Sequence, residues 1–178
     1  MPIALSLEDR EFFELISQAT FTNPFSLERS NVDELLAAAS PGTSRAAVLE
    51  QMLNQLWIRL HRLGERRGSD FAGRDVELFE TAALFSTFHR FSPDIDAHVR
   101  AQLDAGDRAI VFDAGKAMMT HLVQQGFQEV RATRLLSLIF QMRRAFYFIA
   151  QSLVGDSESM RRLREKLGES AGAIETVR

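Results

Sequence analysis

Residues 135–153 form the run LLSLIFQMRRAFYFIAQSL, the most apolar stretch of the chain. Its large apolar side chains recur at intervals of three and four positions, the spacing that places them on one side of an α-helix. They are Leu135, Leu138, Ile139, Met142, Phe146, Ile149 and Leu153. The pattern predicts a helix over about residues 128–153, roughly 40 Å long at 1.5 Å per residue. We expect these residues to form a buried seam, with Leu138, Met142 and Phe146 on the inner face.

The same run is long enough to be tested as a membrane span. Arg143 and Arg144 interrupt it, and each charge at the centre of a bilayer costs roughly 2.5 kcal/mol or more. The N-terminal residues 1–6 have neither the basic start nor the long apolar run of a signal peptide. We therefore predict a core helix of a soluble, cytoplasmic protein.

The rest of the chain is also predicted to be helical, with breaks at serine, proline and glycine. Sustained alternation of polar and apolar residues, the signal of a strand, is absent from the sequence. The expected fold is therefore all-α, a single multi-helix bundle without a sheet that ends in a long signalling helix. The other predicted helices run from the Ser6 cap to Asn23-Pro24, over about 32–39, from Ser44 to Gly64, over about 76–91, from Ser92-Pro93 to Leu103, and over 110–125 with Gly126 as its cap.

Composition limits the classes of function. The 178 residues carry a net charge of −3, which gives no support for direct binding to nucleic acid. The chain has no cysteine, which excludes disulfides, thiolate metal sites and cysteine catalysis. The length is that of one domain with a substantial core.

A phosphate-binding loop is not found in the sequence. Such a loop requires a glycine five positions before a Gly-Lys pair and a hydroxyl residue after it. Gly115-Lys116 is followed by Ala117, and Ile110 occupies the earlier position. The pair is interpreted as part of an ordinary helix.

The four histidines also lack a recognisable metal-binding pattern. None of them has a glutamate three positions earlier, as carboxylate-bridged sites in helical bundles require. His89 lies in Phe88-His89-Arg90-Phe91, where it either lines a pocket or, in the interpretation we favour, lies at the surface or in a second layer. We predict no catalytic residue, no metal ligand and no cofactor, and therefore no enzyme.

Arginines and phenylalanines form the remaining clusters. The arginine band on the third helix is interpreted as a solvated face. The excess of phenylalanine is interpreted mainly as core packing, although residues left over would suit a dimer face or a small-ligand pocket. The band consists of Arg59, Arg62, Arg66 and Arg67, and the phenylalanines on one helix are Phe79, Phe85, Phe88 and Phe91.

The long helix is followed by a Gly-Asp-Ser break and then by Met160 and Leu163. This order of residues resembles the start of the ATPase domain in bacterial sigma-54-dependent transcriptional activators. The positions that match are Val154, Gly155, Ser157, Met160 and Leu163. In that family a regulatory domain precedes this point, and the ATPase that remodels the sigma-54 holoenzyme follows it.

The resemblance implies that residues 1–154 are a helical regulatory or sensor domain of a bacterial transcription regulator. It implies that residues 155–178 are a remnant of the linker and of the start of an ATPase domain that this chain lacks, whether the chain is truncated or free-standing. The expected partner is that ATPase domain or a second copy of the chain, without direct contact to nucleic acid or membrane. The expected interdomain residues are Val154, Gly155, Ser157, Met160, Arg161, Arg162, Leu163 and Arg164.

Two alternatives remain open from the sequence. One is a homodimeric helical-bundle module for protein interaction, with no link to transcription. The other is a helical bundle that binds a small ligand or a metal.

Overall fold

The computed structural model describes residues 2–22, 26–38, 40, 43–64, 66–152, 162, 163 and 166. Within them the fold is all-α, as predicted. A short 3-10 helix lies at Gly68–Asp70, and the one strand-like pairing among the described residues is an isolated bridge between Ile3 and Phe71. The α-helices are α1 (Leu7–Phe21), α2 (Leu27–Ala37), α3 (Arg45–Leu63), α4 (Arg74–Ala105), α5 (Gly115–Gln124) and α6 (Glu129–Ser152).

Serine caps begin the first three helices. The hydroxyl oxygens of Ser6, Ser26 and Ser44 each accept a hydrogen bond from a backbone N–H in the first turn. Such caps supply a partner for N–H groups that the helix itself leaves unbonded. Because Ser26 provides this cap, α2 begins at Leu27, well before the predicted start near residue 32.

The N-terminal part of the core is formed by α1, α2, α3 and the first half of α4. Its fully buried side chains include Phe13, Ile16, Met52 and Leu56. Asp75 fixes the segment before α1 to α4, because its carboxylate accepts hydrogen bonds from the backbone N–H of Leu5 at 2.9 Å and from the Arg10 guanidinium at 2.8 and 3.0 Å. These bonds lower the pKa of the Asp75 carboxyl group, with the Arg10 contact as the largest cause.

The C-terminal part of the core lies between the second half of α4 and the helices α5 and α6. Its buried apolar residues include Ile95, Met118, Leu122 and Ile139. Arg143 of α6 also forms a bidentate ion pair with Asp96 of α4, with one N–O distance of 2.7 Å. Helix α4 therefore belongs to both parts of the core.

The predicted break at Ser92-Pro93 is wrong, because α4 continues through Pro93 to Ala105. A proline inside a helix loses one backbone hydrogen bond and costs about 3 kcal/mol. Phe91 and Ile95 on either side are buried in the C-terminal core, and their burial offsets that cost. The Ser92 hydroxyl donates to the Phe88 carbonyl oxygen at 2.7 Å, which adds a hydrogen bond next to the missing one.

The predicted start of the next helix at Ile110 is also wrong. Helix α5 begins at Gly115, and the Val111 side chain is 78% exposed. The Gln102 side chain holds the preceding loop by donating to the carbonyl oxygens of Gly106 and Arg108 and accepting from the Ile110 N–H. These bonds satisfy three backbone groups of the loop without a helix.

The predicted long helix is confirmed as α6, but its inner face is rotated from the predicted one. Leu138 is 44% exposed, while Met142 and Phe146 are partly buried, so the prediction that Leu138 is buried is wrong. The face toward α4 and α5 is centred on a neighbouring stripe of the same helix, and Phe146 contacts Phe88 of α4 at the edge of this face. Leu153 lies outside the described residues. That stripe consists of Ala132, Leu136, Ile139, Arg143 and Tyr147.

Among the described residues, no helix combines the length and the apolar character that crossing a membrane would require.

Candidate functional site

A cleft of about 580 Å³ opens between α3, α4 and α5. One side is apolar and is formed by Leu53 and Leu60 of α3 and by Phe79 of α4. Clefts of this size are typical of sites for small molecules. The cleft combines this apolar side with an aromatic edge and with several nitrogen-bearing side chains.

Trp57 and His61 form the aromatic edge of the cleft. They lie one turn apart on α3, and their rings stack with centroids 5.0 Å apart and planes at 5°. The Trp57 side chain is nevertheless 61% exposed, which is high for so large an apolar group. A large indole surface is therefore open to a ligand or a partner.

His89 lies deeper in the cleft, between aromatic side chains of α4. Its ring centroid is 4.5 Å from that of Phe85 and 5.2 Å from that of Phe88. Burial, together with the nearby charges of Arg29 and Arg143, lowers the pKa of His89 to about 3. The imidazole is therefore neutral at physiological pH, with one nitrogen as donor and the other as acceptor. The sequence interpretation that placed this histidine at the surface or in a second layer is wrong.

His121 and two arginines complete the polar side. Burial and the charge of Arg90 lower the pKa of His121, whose ring lies 5.9 Å from Phe91. Arg90 and Arg66 have exposed side chains that line the cleft, and neither forms an ion pair with a described residue. The described lining includes no carboxylate, so the cleft has a positive electrostatic character.

The histidines of the cleft do not form a metal centre. Among the described residues, no group of three histidine or acidic side chains converges closely enough to hold a metal ion. Polar contacts in the cleft therefore come from imidazoles, arginines and uncharged groups such as Ser86 and Asn54.

The arginine band of α3 is divided between two roles. Arg59 and Arg62 bind the first turn of α1, with Nη2 of Arg59 2.8 Å from Glu8 and Nη2 of Arg62 2.5 Å from Asp9. The Arg59 guanidinium also lies 4.2 Å from the centre of the Phe12 ring, and its side chain is only 14% exposed. The prediction of a solvated face is therefore wrong for Arg59, which is a packing residue. Its acidic partners lie in the first turn of another helix, where no local pattern connects them.

Arg66 and Arg67 follow the end of α3 at Leu63, so they do not extend the band along a helix face. Gly115-Lys116 begins α5, as expected for an ordinary helical pair. Neither Arg66-Arg67 nor Gly115-Lys116 belongs to a phosphate-binding loop, which requires a glycine five positions before a Gly-Lys pair.

The predicted interdomain residues lie at the edge of the described structure. Arg162 and Leu163 are helical and exposed, and Leu163 is 43% exposed. The other predicted interdomain residues are outside the described part of the chain. They are Val154, Gly155, Ser157, Met160, Arg161 and Arg164.

Comparison of the chain with models of protein families, with curated proteins and with solved structures gave no match. The class that the geometry defines is a helical bundle with a cleft of small-molecule size at the side of its longest helix.

Proposed function

We propose that this chain is the signal-sensing regulatory domain of a bacterial sigma-54-dependent transcriptional regulator. Its partner would be the ATPase domain of such a regulator, and the chain itself would carry no catalytic step and no DNA-binding surface. The observation that supports this function is the position of α6, which packs on α4 and reaches Ser152 directly before the Val154-Gly155 pattern.

Helix α4 connects the cleft to α6. His89 lines the cleft, and the adjacent Phe88 meets Phe146 of α6 edge to face, with centroids 6.2 Å apart. Beyond Phe88 on α4 and before Phe146 on α6, the bidentate ion pair of Asp96 with Arg143 fixes the register of the two helices. A shift of α4 at the cleft therefore changes the packing of α6, as in other helix-shift switches.

Whether the signal activates or inhibits the ATPase depends on the packing of α6 that the ATPase domain prefers. A signal that favours one arrangement of α4 against α6 changes the population of that arrangement by its difference in affinity. Coupling energies of about 1–3 kcal/mol, typical of allosteric proteins, correspond to changes of about 5- to 150-fold.

The test joins this chain to the ATPase domain of a sigma-54-dependent activator at the Val154-Gly155 pattern. We expect the rate of ATP hydrolysis of the fusion to differ by about fivefold or more from that of the isolated ATPase domain. The Phe146→Ala substitution in the fusion should reduce this difference, because it removes the contact with Phe88.

Leu138→Ala is the matched control on the same helix, since Leu138 is exposed and lies away from the α4 contact. The control fusion should hydrolyse ATP like the unmodified one. Equal rates for the unmodified fusion and the isolated ATPase domain would contradict the proposed function.

A further inference from the structure

We propose that the cleft between α3, α4 and α5 binds a small molecule that combines a planar ring with an anionic group. The inference rests on the proposed sensing function and names the chemical class of the signal.

The apolar and aromatic side of the cleft fits the ring. Leu53, Leu60 and Phe79 supply an apolar surface, and the stacked pair of Trp57 and His61 supplies a flat one. Aromatic rings favour stacked or edge contacts with such surfaces. The exposed area of Trp57 would be covered by a bound ring, which removes a large apolar surface from water.

The charged side of the cleft fits the anion. Arg66 and Arg90 carry permanent positive charges and have no carboxylate partner among the described residues. A guanidinium group binds carboxylate or phosphate oxygens through paired N–H donors. The neutral rings of His89 and His121 each add one N–H donor and do not repel an uncharged ring.

Other ligand classes fit the cleft less well. A divalent cation would meet two arginines and, among the described residues, no converging group of metal ligands. A purely apolar molecule would leave Arg90, His121 and Ser86 facing it without polar partners. The volume of about 580 Å³ suits a small molecule rather than a polymer.

The bound molecule would act directly on the helix that contacts α6. Arg90 and His89 are adjacent residues of α4, and Phe88 next to them contacts Phe146. An anion bound by Arg90 would therefore lie close to Phe88, the residue through which α4 contacts α6.

Trp57 is the only tryptophan of the chain and lines the cleft, so its fluorescence reports on binding. Four probes separate the two parts of the ligand. Benzoate and phenyl phosphate carry a ring and an anion, benzyl alcohol carries the ring alone, and inorganic phosphate is the anion alone. We expect benzoate or phenyl phosphate to quench the fluorescence of the full chain saturably, and the one that binds more tightly identifies the anion as carboxylate or phosphate.

Benzyl alcohol and inorganic phosphate should bind at least about tenfold more weakly, since each lacks one of the two contacts. Arg66→Gln and Arg90→Gln should each weaken binding of the better probe by about tenfold or more. Arg134→Gln is the matched control, because Arg134 is exposed on α6 and does not line the cleft. Its affinity should stay within about twofold of the unmodified chain, and thermal unfolding of all three variants should confirm that they are folded.

Absence of saturable quenching by both ring-bearing anions would overturn the inference. Equal affinity for benzyl alcohol would overturn it too, as would unchanged affinity in both folded cleft variants. These results would leave the regulatory function standing, because the ATPase fusion is measured without a ligand. Binding with the expected pattern, together with a fusion that does not alter ATP hydrolysis, would keep the ligand site and refute the regulatory function.

Discussion

Phe88 of α4 and Phe146 of α6 meet edge to face, with ring centroids 6.2 Å apart and planes at 88°. The contact lies one residue from His89, which lines the cleft. A single turn of α4 thus contacts both the candidate ligand site and the helix that leads toward the C-terminus. This arrangement makes the packing of Phe146 the first point to test.

Phe146→Ala is expected to lower the free energy of unfolding by about 2–3 kcal/mol, the lower end for a phenylalanine because its ring is only partly buried. Leu138→Ala, on the exposed side of the same helix, should cost less than about 1 kcal/mol. Urea unfolding followed by circular dichroism measures both values. Equal losses of stability in the two variants would show that the buried face of α6 is assigned incorrectly.

The buried His89 should make the protein less stable in acid. Its pKa is about 3 in the folded protein, against a usual value of 6.5. Below about pH 6.5 the unfolded chain takes up a proton on this imidazole, while the native protein does so only near pH 3, so stability falls as the pH decreases through this window. His89→Gln removes this proton uptake. Urea unfolding at several pH values should show a smaller loss of stability toward acid in the variant, and an unchanged loss would show that His89 is not responsible.

Gly126 lies at the corner between α5 and α6 with φ of +97°, where a side chain is strained. A Cβ atom there would lie 2.7 Å from Cβ of Arg67, too close for any real contact. Gly126→Ala should therefore lower the free energy of unfolding by about 2 kcal/mol more than a substitution that only strains the backbone. Gly106→Ala is the control, since Gly106 also has positive φ, at +61°, but has no neighbour within 4 Å of the added atom. Equal midpoints of thermal unfolding for the two variants would contradict the close approach of Arg67 to Gly126.

Pro93→Ala should stabilise the protein by about 1 kcal/mol or more. The substitution restores the backbone N–H inside α4 and removes the ring from the helix, and these gains exceed the added freedom of the unfolded chain. The midpoint of urea unfolding should increase. A decrease would show that α4 depends on the proline geometry at this position.

The sequence alone predicted the helices whose ends depend on local chemistry. Ser6 and Ser44 cap α1 and α3, Gly64 ends α3, and Gly126 follows α5, all as expected. Capping involves residues within one turn of each other, so it is visible in a short stretch of sequence. The all-α class was predicted for the same reason, because helical periodicity is also local.

Local rules were insufficient where tertiary contacts opposed them. Pro93 was expected to end a helix, but burial of Phe91 and Ile95 keeps α4 continuous. The inner face of α6 was mispredicted because two neighbouring stripes of that helix are apolar. The positions of α4 and α5 select the stripe with Ile139 and leave Leu138 exposed.

The cleft itself depended entirely on tertiary structure. The sequence named His89 as a residue that either lines a pocket or lies near the surface, but it gave no sign that Trp57, Arg66 and His121 would join it. These residues come from separate helices and from the connection after α3, and only packing brings them together. Periodicity and capping thus predicted most of the helical segments, because these signals act over about one turn. The pairing of the helices determined which side chains are buried, which charges meet and where a ligand fits, because burial depends on neighbours that are distant in the chain.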